Sequence, residues 1–285
     1  MADGDYTAMW RELGIDLAAH DGLLEVLGQA CGDIFLSQAN RPEGMKYLDF
    51  VLSEIHGLRI QELLEAKAEG RPVVGTFCLY VPEEIILAAG GVSVALLINQ
   101  VAFYDAPERF TEKIHALCEE LDARVEAGEG VAPADAPRIL ISGCPMAAPN
   151  WKVPAVVEKL GAVIVGEESC VGERGTRNQV SDDGTTREEL LDAIAERYLA
   201  IDCACFTPND ERMDHIAQMA RDLDADGVVH YALLFCTPYL VEAQRVRERC
   251  KAEGLALLAV ETDYAREDMG QLETRVGAFL ELLGG

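Results

Sequence analysis

The chain has 285 residues, enough for one large domain or two small ones with a real core. With 50 acidic against 24 basic side chains it carries a formal charge of −26, which makes nucleic acid and anionic membrane surfaces poor partners. No run of about 18 uninterrupted apolar residues occurs, so no membrane span is expected. The acidic start Met1-Ala2-Asp3-Gly4-Asp5 lacks the basic segment of a secretory leader, so a cytoplasmic location is expected. Nine cysteines, an odd number at wide spacing, argue against a disulfide framework and for reduced thiols, buried or metal-bound.

Residues 5–70 read as a helical N-terminal arm. Leu24, Leu27, Cys31 and Phe35, then Tyr47, Phe50, Val51, Ile55 and Leu58, recur at three- and four-residue spacings. Gly70-Arg71-Pro72 ends the arm. Residues 73–77 read as a strand. Pro82-Glu83-Glu84 then opens a helix, because proline suits the first helical position and carboxylates suit the positive helix end. Gly90-Gly91 stops it, residues 92–98 read as the next strand, and residues 111–125 as a helix. The stretch 127–137, rich in Gly, Ala and Pro, is the linker candidate.

The remainder alternates apolar strands (138–142, 162–165, 228–235, 255–260) with helices near 153–160, 240–252 and a closing helix. The last carries Leu272, Val276, Phe279, Leu280 and Leu283 on one face. That alternation means parallel sheet covered on both faces. The expected architecture is α/β: a helical arm (1–70) followed by two small doubly wound, flavodoxin- or Rossmann-like parallel-sheet domains (71–137 and 138–285). Residues 167–187 are polar and without periodicity. A segment of that length reads either as a functional loop or as disorder.

Six cysteines stand out by position. Cys78, Cys144, Cys170 and Cys236 follow expected strands, where open parallel sheets gather their ligands. Cys203 and Cys205 lie in a turn-like run after a long helix and are placed to swing over the same crevice. Thiolates are soft ligands suited to iron–sulfur clusters, zinc or copper(I). The paired spacings of structural zinc sites and the ferredoxin runs are both absent. Cys31, Cys118 and Cys250 share helix faces with Leu27, Ile114 and Val246 and read as core. There is no G-x-x-x-x-G-K-[ST] loop, so ATP chemistry belongs elsewhere.

Four motifs together carry a family resemblance. Phe77-Cys78-Leu79-Tyr80-Val81-Pro82-Glu83-Glu84 resembles the cysteine-plus-Pro-Glu-Glu signature of the 2-hydroxyacyl-CoA dehydratase D-component family. Ser142-Gly143-Cys144-Pro145-Met146 and Phe235-Cys236-Thr237-Pro238-Tyr239 resemble its second and third cysteine motifs. Glu261-Thr262-Asp263-Tyr264, with Asp268 to Arg275, is similar to its C-terminal signature. The resemblance covers residues 45–283. Members are often longer at the N-terminus, a departure expected to bear on the dimer or on reductase docking and not on the motifs.

The resemblance implies an iron–sulfur cofactor. Dehydratase subunits are expected to carry a single [4Fe-4S] cluster on three cysteines, here Cys78, Cys144 and Cys236. Double-cubane proteins are expected to carry two bridged cubanes, [8Fe-9S], on six. Cys170, Cys203 and Cys205 complete six, so the double cubane is the expected form. The implied partners are an ATP-dependent iron–sulfur activator, a small-molecule substrate and a second copy in a homodimer. The first expectation is therefore a low-potential reductase. The alternatives are a 2-hydroxyacyl-CoA dehydratase subunit and a non-catalytic cluster carrier. Glu168, Arg174, Arg212 and Tyr239 flank the cysteines in sequence and are candidates to hydrogen-bond sulfur, tune potential or move protons. Surface charge or loop stabilisation is the plainer role for each.

Overall fold

A computed structural model describes residues 5–95, 107–146, 150–206 and 208–284. It divides into two compact units, Met1–Thr76 with Glu83–Val131, and Phe77–Pro82 with Ala132–Gly285. The segment that follows the first strand, and carries Cys78, thus groups with the second unit.

The first unit opens with helices α1 (Thr7–Glu12), α2 (Leu17–Cys31), α3 (Met45–Ser53) and α4 (Leu58–Ala68). Asp16 starts α2 by accepting the backbone N–H groups of Ala18 and Ala19. Trp10 is buried and donates its indole N–H to the His56 carbonyl at 2.8 Å. Buried Glu54 accepts from the Tyr6 hydroxyl at 2.7 Å and from the Leu58 backbone. Strands β1 (Val73–Thr76) and β2 (Val92–Ala95) pair in parallel, with α5 (Glu83–Ala88) between them in sequence. The expected extension of β2 to residue 98 falls outside the described residues. In α6 (Pro107–Glu126) the inward residue is Leu117, packed against Gly44. Cys118 is exposed, contrary to the core role expected of it, because the buried face of α6 lies one residue away.

The second unit is a four-stranded parallel sheet of β3 (Arg138–Gly143), β4 (Val163–Glu167), β5 (Gly227–Leu233) and β6 (Ala256–Thr262) in the order β4-β3-β5-β6. Side chains alternate across it. Ile139, Ile141, Val229 and Tyr231 point to one face, where they meet Val153, Val156 and Val157 of α7 (Lys152–Lys159) and Leu272, Val276 and Phe279 of α11 (Met269–Leu283). Leu140 and Val228 point to the other. There they meet Met213, Ile216 and Ala220 of α9 (Asp210–Asp222) and Val246 and Cys250 of α10 (Thr237–Ala252). Each wholly buried aliphatic side chain here contributes about 1.5–3 kcal/mol over exposure. Among the described residues no helix is long and apolar enough to cross a membrane.

Two segments differ from the sequence reading. Residues 167–187 carry a buried, partly regular stretch: Glu168, Ser169, Cys170 and Arg174 are interior, and Glu173–Gly175 forms a 3₁₀ turn. Helix α8 (Arg187–Leu199) then starts on a reciprocal Thr186–Glu189 capping box. Helix α9 has no counterpart in the sequence reading. Its apolar spacing, 213-216-217-220, is sound, but six of its thirteen residues are charged, most of them at its two ends, and that composition hides it.

Gly143 closes β3 with φ +118°, and a Cβ there would lie 1.9 Å from the Tyr231 carbonyl oxygen. Gly143→Ala should therefore cost more than ~3 kcal/mol or prevent folding. Gly254→Ala has a positive φ of 73° but no neighbour within 4 Å, and should cost only ~1 kcal/mol. Urea midpoints of the two variants measure the difference; equal losses would refute the steric argument.

Candidate metal centre

In this strand order β3 and β5 are neighbours, and the chain leaves them toward opposite sides of the sheet. Their carboxyl ends therefore face a common crevice, the usual place for a ligand in an open parallel sheet. Cys144 sits there because Gly143 lets the two backbones close up. Its N–H donates to the Tyr231 carbonyl at 2.9 Å, and its Sγ accepts from the Leu233 N–H at 3.4 Å. Cys236 stands at the N-terminus of α10, just after Phe235, an exposed non-glycine residue at φ +69°. Such a conformation costs about 1–2 kcal/mol and persists only where its surroundings impose it. The turn places Cys236 close enough to Cys144 for each thiol to bear on the other's ionisation.

A second group of thiols comes from farther along the chain. Cys170 follows β4, and Gly172 makes its turn possible: a Cβ there would lie 1.9 Å from the Glu167 carbonyl oxygen. Cys203 lies beyond α8, where Asn209 Nδ2 donates to the carbonyls of Asp202 (3.2 Å) and Cys203 (3.0 Å). Tyr80 ties in the Cys78 segment. Its hydroxyl donates to the Ile201 carbonyl at 2.7 Å and accepts from the Cys203 N–H at 3.3 Å, while its ring packs edge-on against Phe206. Cys170 stands near enough to Cys203, and Cys203 to Cys205, for each to bear on its neighbour's proton. Cys205 also lies close enough to Cys78 and Cys236 to feel their charge. All six expected cysteines therefore belong to one unit, each within electrostatic reach of at least one other, with every thiol free.

Burial pushes the Cys144 thiol up to about 12, and burial with the neighbouring thiols pushes Cys205 up to about 11. In the Cys170–Cys203 pair one sulfur keeps the proton. The hydrogen bond from Cys170 holds Cys203 down to about 5, against the cost of burial, with help from the Cys205 backbone and Arg174. Among the described residues no three His, Cys, Asp or Glu side chains gather tightly enough for a single metal ion. The donor set is all sulfur and extends from buried Cys144, Cys170 and Cys203 to half-buried Cys78 and Cys236 and exposed Cys205. A spread set of thiols fits a polynuclear iron–sulfur group, which is wider than one ion and takes soft ligands.

Beneath the thiols lies a buried ionic network. Glu168 is wholly buried and accepts from Arg212 at 2.9 and 3.1 Å, from Ser142 Oγ at 3.0 Å, and from Arg174. Arg212 also binds Glu242 and donates to Ser142 Oγ at 3.1 Å. Arg174 further donates to the Tyr239 hydroxyl at 2.7 Å and to Cys170 Sγ at 3.3 Å. Asp202 accepts from Arg177 at 2.8 Å and contacts His215. Burial opposes ionisation of Glu168, but Arg212 and Arg174 outweigh it and hold the carboxyl below its usual range. Burial likewise opposes ionisation of Asp202, where His215 and Arg177 prevail. Burial raises the Tyr239 hydroxyl far above the usual phenol range.

The four flanking candidates, Glu168, Arg174, Arg212 and Tyr239, are thus all interior and mutually linked. The plainer reading as surface charge does not apply to them. Sequence reasoning did not single out Asp202, Glu242, Asn209 or His230. The available signal was a polar residue at an inward position of an apolar strand, as with His230 in β5.

Residues 91–283 match the family described as 2-hydroxyglutaryl-CoA dehydratase, D-component, and the chain belongs to that family. Membership implies an iron–sulfur cofactor. The chain is 39% identical to "Putative dehydratase subunit YjiM" of Escherichia coli (strain K12), over 63% of its own length and 47% of that protein's. It is 22% identical to the beta subunit of (R)-2-hydroxyglutaryl-CoA dehydratase of Acidaminococcus fermentans, over 81% of its length and 59% of that protein's. It is 24% identical to one of the subunits of benzoyl-CoA reductase of Thauera aromatica, over 48% of its length and 34% of that protein's. The chain thus matches about a third to three fifths of the length of these relatives.

Two measurements probe the buried polar layer. Arg212→Met leaves Glu168 and Glu242 buried without their shared cation and should cost about 3–5 kcal/mol in urea unfolding; a loss under ~1 kcal/mol would show that the network bears little of the fold. His230 is buried, and burial with the nearby Arg212 charge holds its imidazole down to about 4. The unfolded chain, with an ordinary value near 6.5, then binds more protons between those values. Stability present above pH 6.5 is lost as pH falls, by about 2 kcal/mol between pH 7 and pH 5. His230→Gln should lack that part of the pH slope.

Proposed function

We propose that the six cysteines, Cys78, Cys144, Cys170, Cys203, Cys205 and Cys236, hold a double-cubane iron–sulfur cluster, two bridged [4Fe-4S] units. In this reading the chain is the low-potential reductase component of a system that reduces a small molecule. The observation that carries the reading is the set of six free thiols, each within electrostatic reach of another, supplied by separate segments of one compact unit. Family membership supports the iron–sulfur chemistry, and the likeness to part of a benzoyl-CoA reductase supports a reductive role. We read the β4-β3-β5-β6 sheet as a doubly wound, flavodoxin-like unit, with the thiols over its switch point.

The cluster would supply one-electron chemistry at low potential. The chain's own residues do the rest. Backbone and guanidinium donors hold sulfur atoms in place, the ionic layer keeps water and mobile charge from beneath them, and Tyr80 anchors the segment that delivers Cys78. ATP hydrolysis and electron delivery would come from a separate iron–sulfur activator, and the working form would be a homodimer. A second reading is favoured by the names of two relatives, both dehydratase subunits. Here Cys78, Cys144 and Cys236 hold one [4Fe-4S] cluster, and the chain is one subunit of a 2-hydroxyacyl-CoA dehydratase.

Iron and sulfide per chain separate the two in protein purified without oxygen. About eight irons supports the double cubane and about four the single cluster; zinc alone, or no metal, defeats both. Under the first reading Cys203→Ala with Cys205→Ala loses half or more of the iron. Under the second the iron is retained.

A further inference from the structure

The two ends of the thiol set are not equivalent. At one end, Cys144 Sγ accepts a neutral backbone N–H from Leu233 at 3.4 Å. At the other, Cys170 Sγ accepts from the Arg174 guanidinium at 3.3 Å, and Cys203 Sγ lies 3.8 Å from the Tyr239 hydroxyl. Arg174 has no acceptor, so the Tyr239 oxygen must accept from it at 2.7 Å. The one phenolic proton is then left for sulfur, and Cys203 is the sulfur it faces. A single buried Arg–Tyr pair therefore directs one donor at each of two thiols.

The pair is held rigidly. Arg174 is bound by Glu168 and lies 3.3 Å from Asp202, and its side chain is 1% exposed. The Tyr239 ring is flanked by the guanidinium groups of Arg212, at 5.1 Å, and Arg174, at 6.0 Å. Arg212 makes its own hydrogen bonds to Glu168, Glu242 and Ser142 and leaves sulfur to the other two residues. The carboxylates compensate the positive charge of Arg174, so the effect on sulfur comes through the two directed donors. Charge-assisted donors are about twice as strong as neutral ones, and hydrogen bonds to ligand sulfur raise the potential of an iron–sulfur centre.

We propose that Arg174 and Tyr239 are positioning residues that make the Cys170–Cys203 end of the site the place where added negative charge is best stabilised, and hence the electron-accepting end. This rests on the proposed iron–sulfur reading of the six cysteines. The step it describes is one electron passing from a low-potential one-electron donor to the iron–sulfur group. The donor is oxidised, the group is reduced, and no proton need move. Nothing in this role requires either residue to touch substrate.

The test uses the whole chain, purified without oxygen, as wild type, Tyr239→Phe and Arg174→Lys. Iron per chain is measured first, followed by reductive titration with titanium(III) citrate monitored by visible absorption and electron paramagnetic resonance. Tyr239→Phe removes one hydroxyl and keeps the ring, so it should fold and retain wild-type iron. At the potential where wild type is half reduced, its reduced-to-oxidised ratio should fall about tenfold, equal to 59 mV for a one-electron couple. Arg174→Lys should shift in the same direction. An iron-replete Tyr239→Phe that titrates like wild type would overturn the proposal. So would a folded Tyr239→Phe that has lost its iron, since Tyr239 would then serve binding and not potential. A wild-type chain without iron would instead bring down the cluster reading itself, and this inference with it.

Discussion

Glu168 is a carboxylate with no exposure to water that holds two arginines, a serine hydroxyl and, through them, a tyrosine and a cysteine sulfur. Such a group is costly to bury alone and tolerable only when every lone pair is used. That requirement ties together five places far apart in the chain: the end of β3, the turn after β4, the start of α9, the start of α10 and the loop after α8. None of these can move without breaking a hydrogen bond or ion pair in a buried polar layer. The thiols above are therefore mounted on a layer that resists rearrangement.

The same economy governs the backbone. Two glycines, Gly143 and Gly172, stand where a methyl group would strike a carbonyl oxygen, and each is within two residues of a cysteine. Phe235, at positive φ, immediately precedes another. Strain or close approach thus marks each of the turns that carry Cys144, Cys170 and Cys236, as expected where geometry is being imposed on a site. Cys78 arrives differently, on a segment anchored by one tyrosine hydroxyl with a partner on each side.

On the reading proposed above, the chemistry of this arrangement is one in which charge changes while atoms stay still. A rigid, mostly buried sulfur set with directed donors and a balanced ionic layer keeps reorganisation small. Family membership, the six thiols and the asymmetry between their two ends all bear on that single theme. The pair nearest sulfur, Arg174 and Tyr239, is shut away from water.

The sequence by itself determined the parallel α/β plan of the second unit, because strands buried on both faces must read as short apolar runs, as at Ile139, Leu140 and Ile141 or Val228 and Val229. It also marked the cysteines that follow those runs, since position after a strand is a local property. Helix α9 is hidden in the sequence because charged residues at both its ends mask a correct apolar spacing, and the exposure of Cys118 is not legible there because a one-residue rotation of a helix moves a side chain from its inside to its outside. Only the tertiary structure decided that Glu168, Arg174, Arg212 and Tyr239 are interior and joined, and that Asp202, Glu242 and His230 stand with them. A charged residue in a polar stretch looks like surface until its partners, contributed from elsewhere in the chain, are brought to it. The pairing energy that permits its burial exists only in the folded molecule.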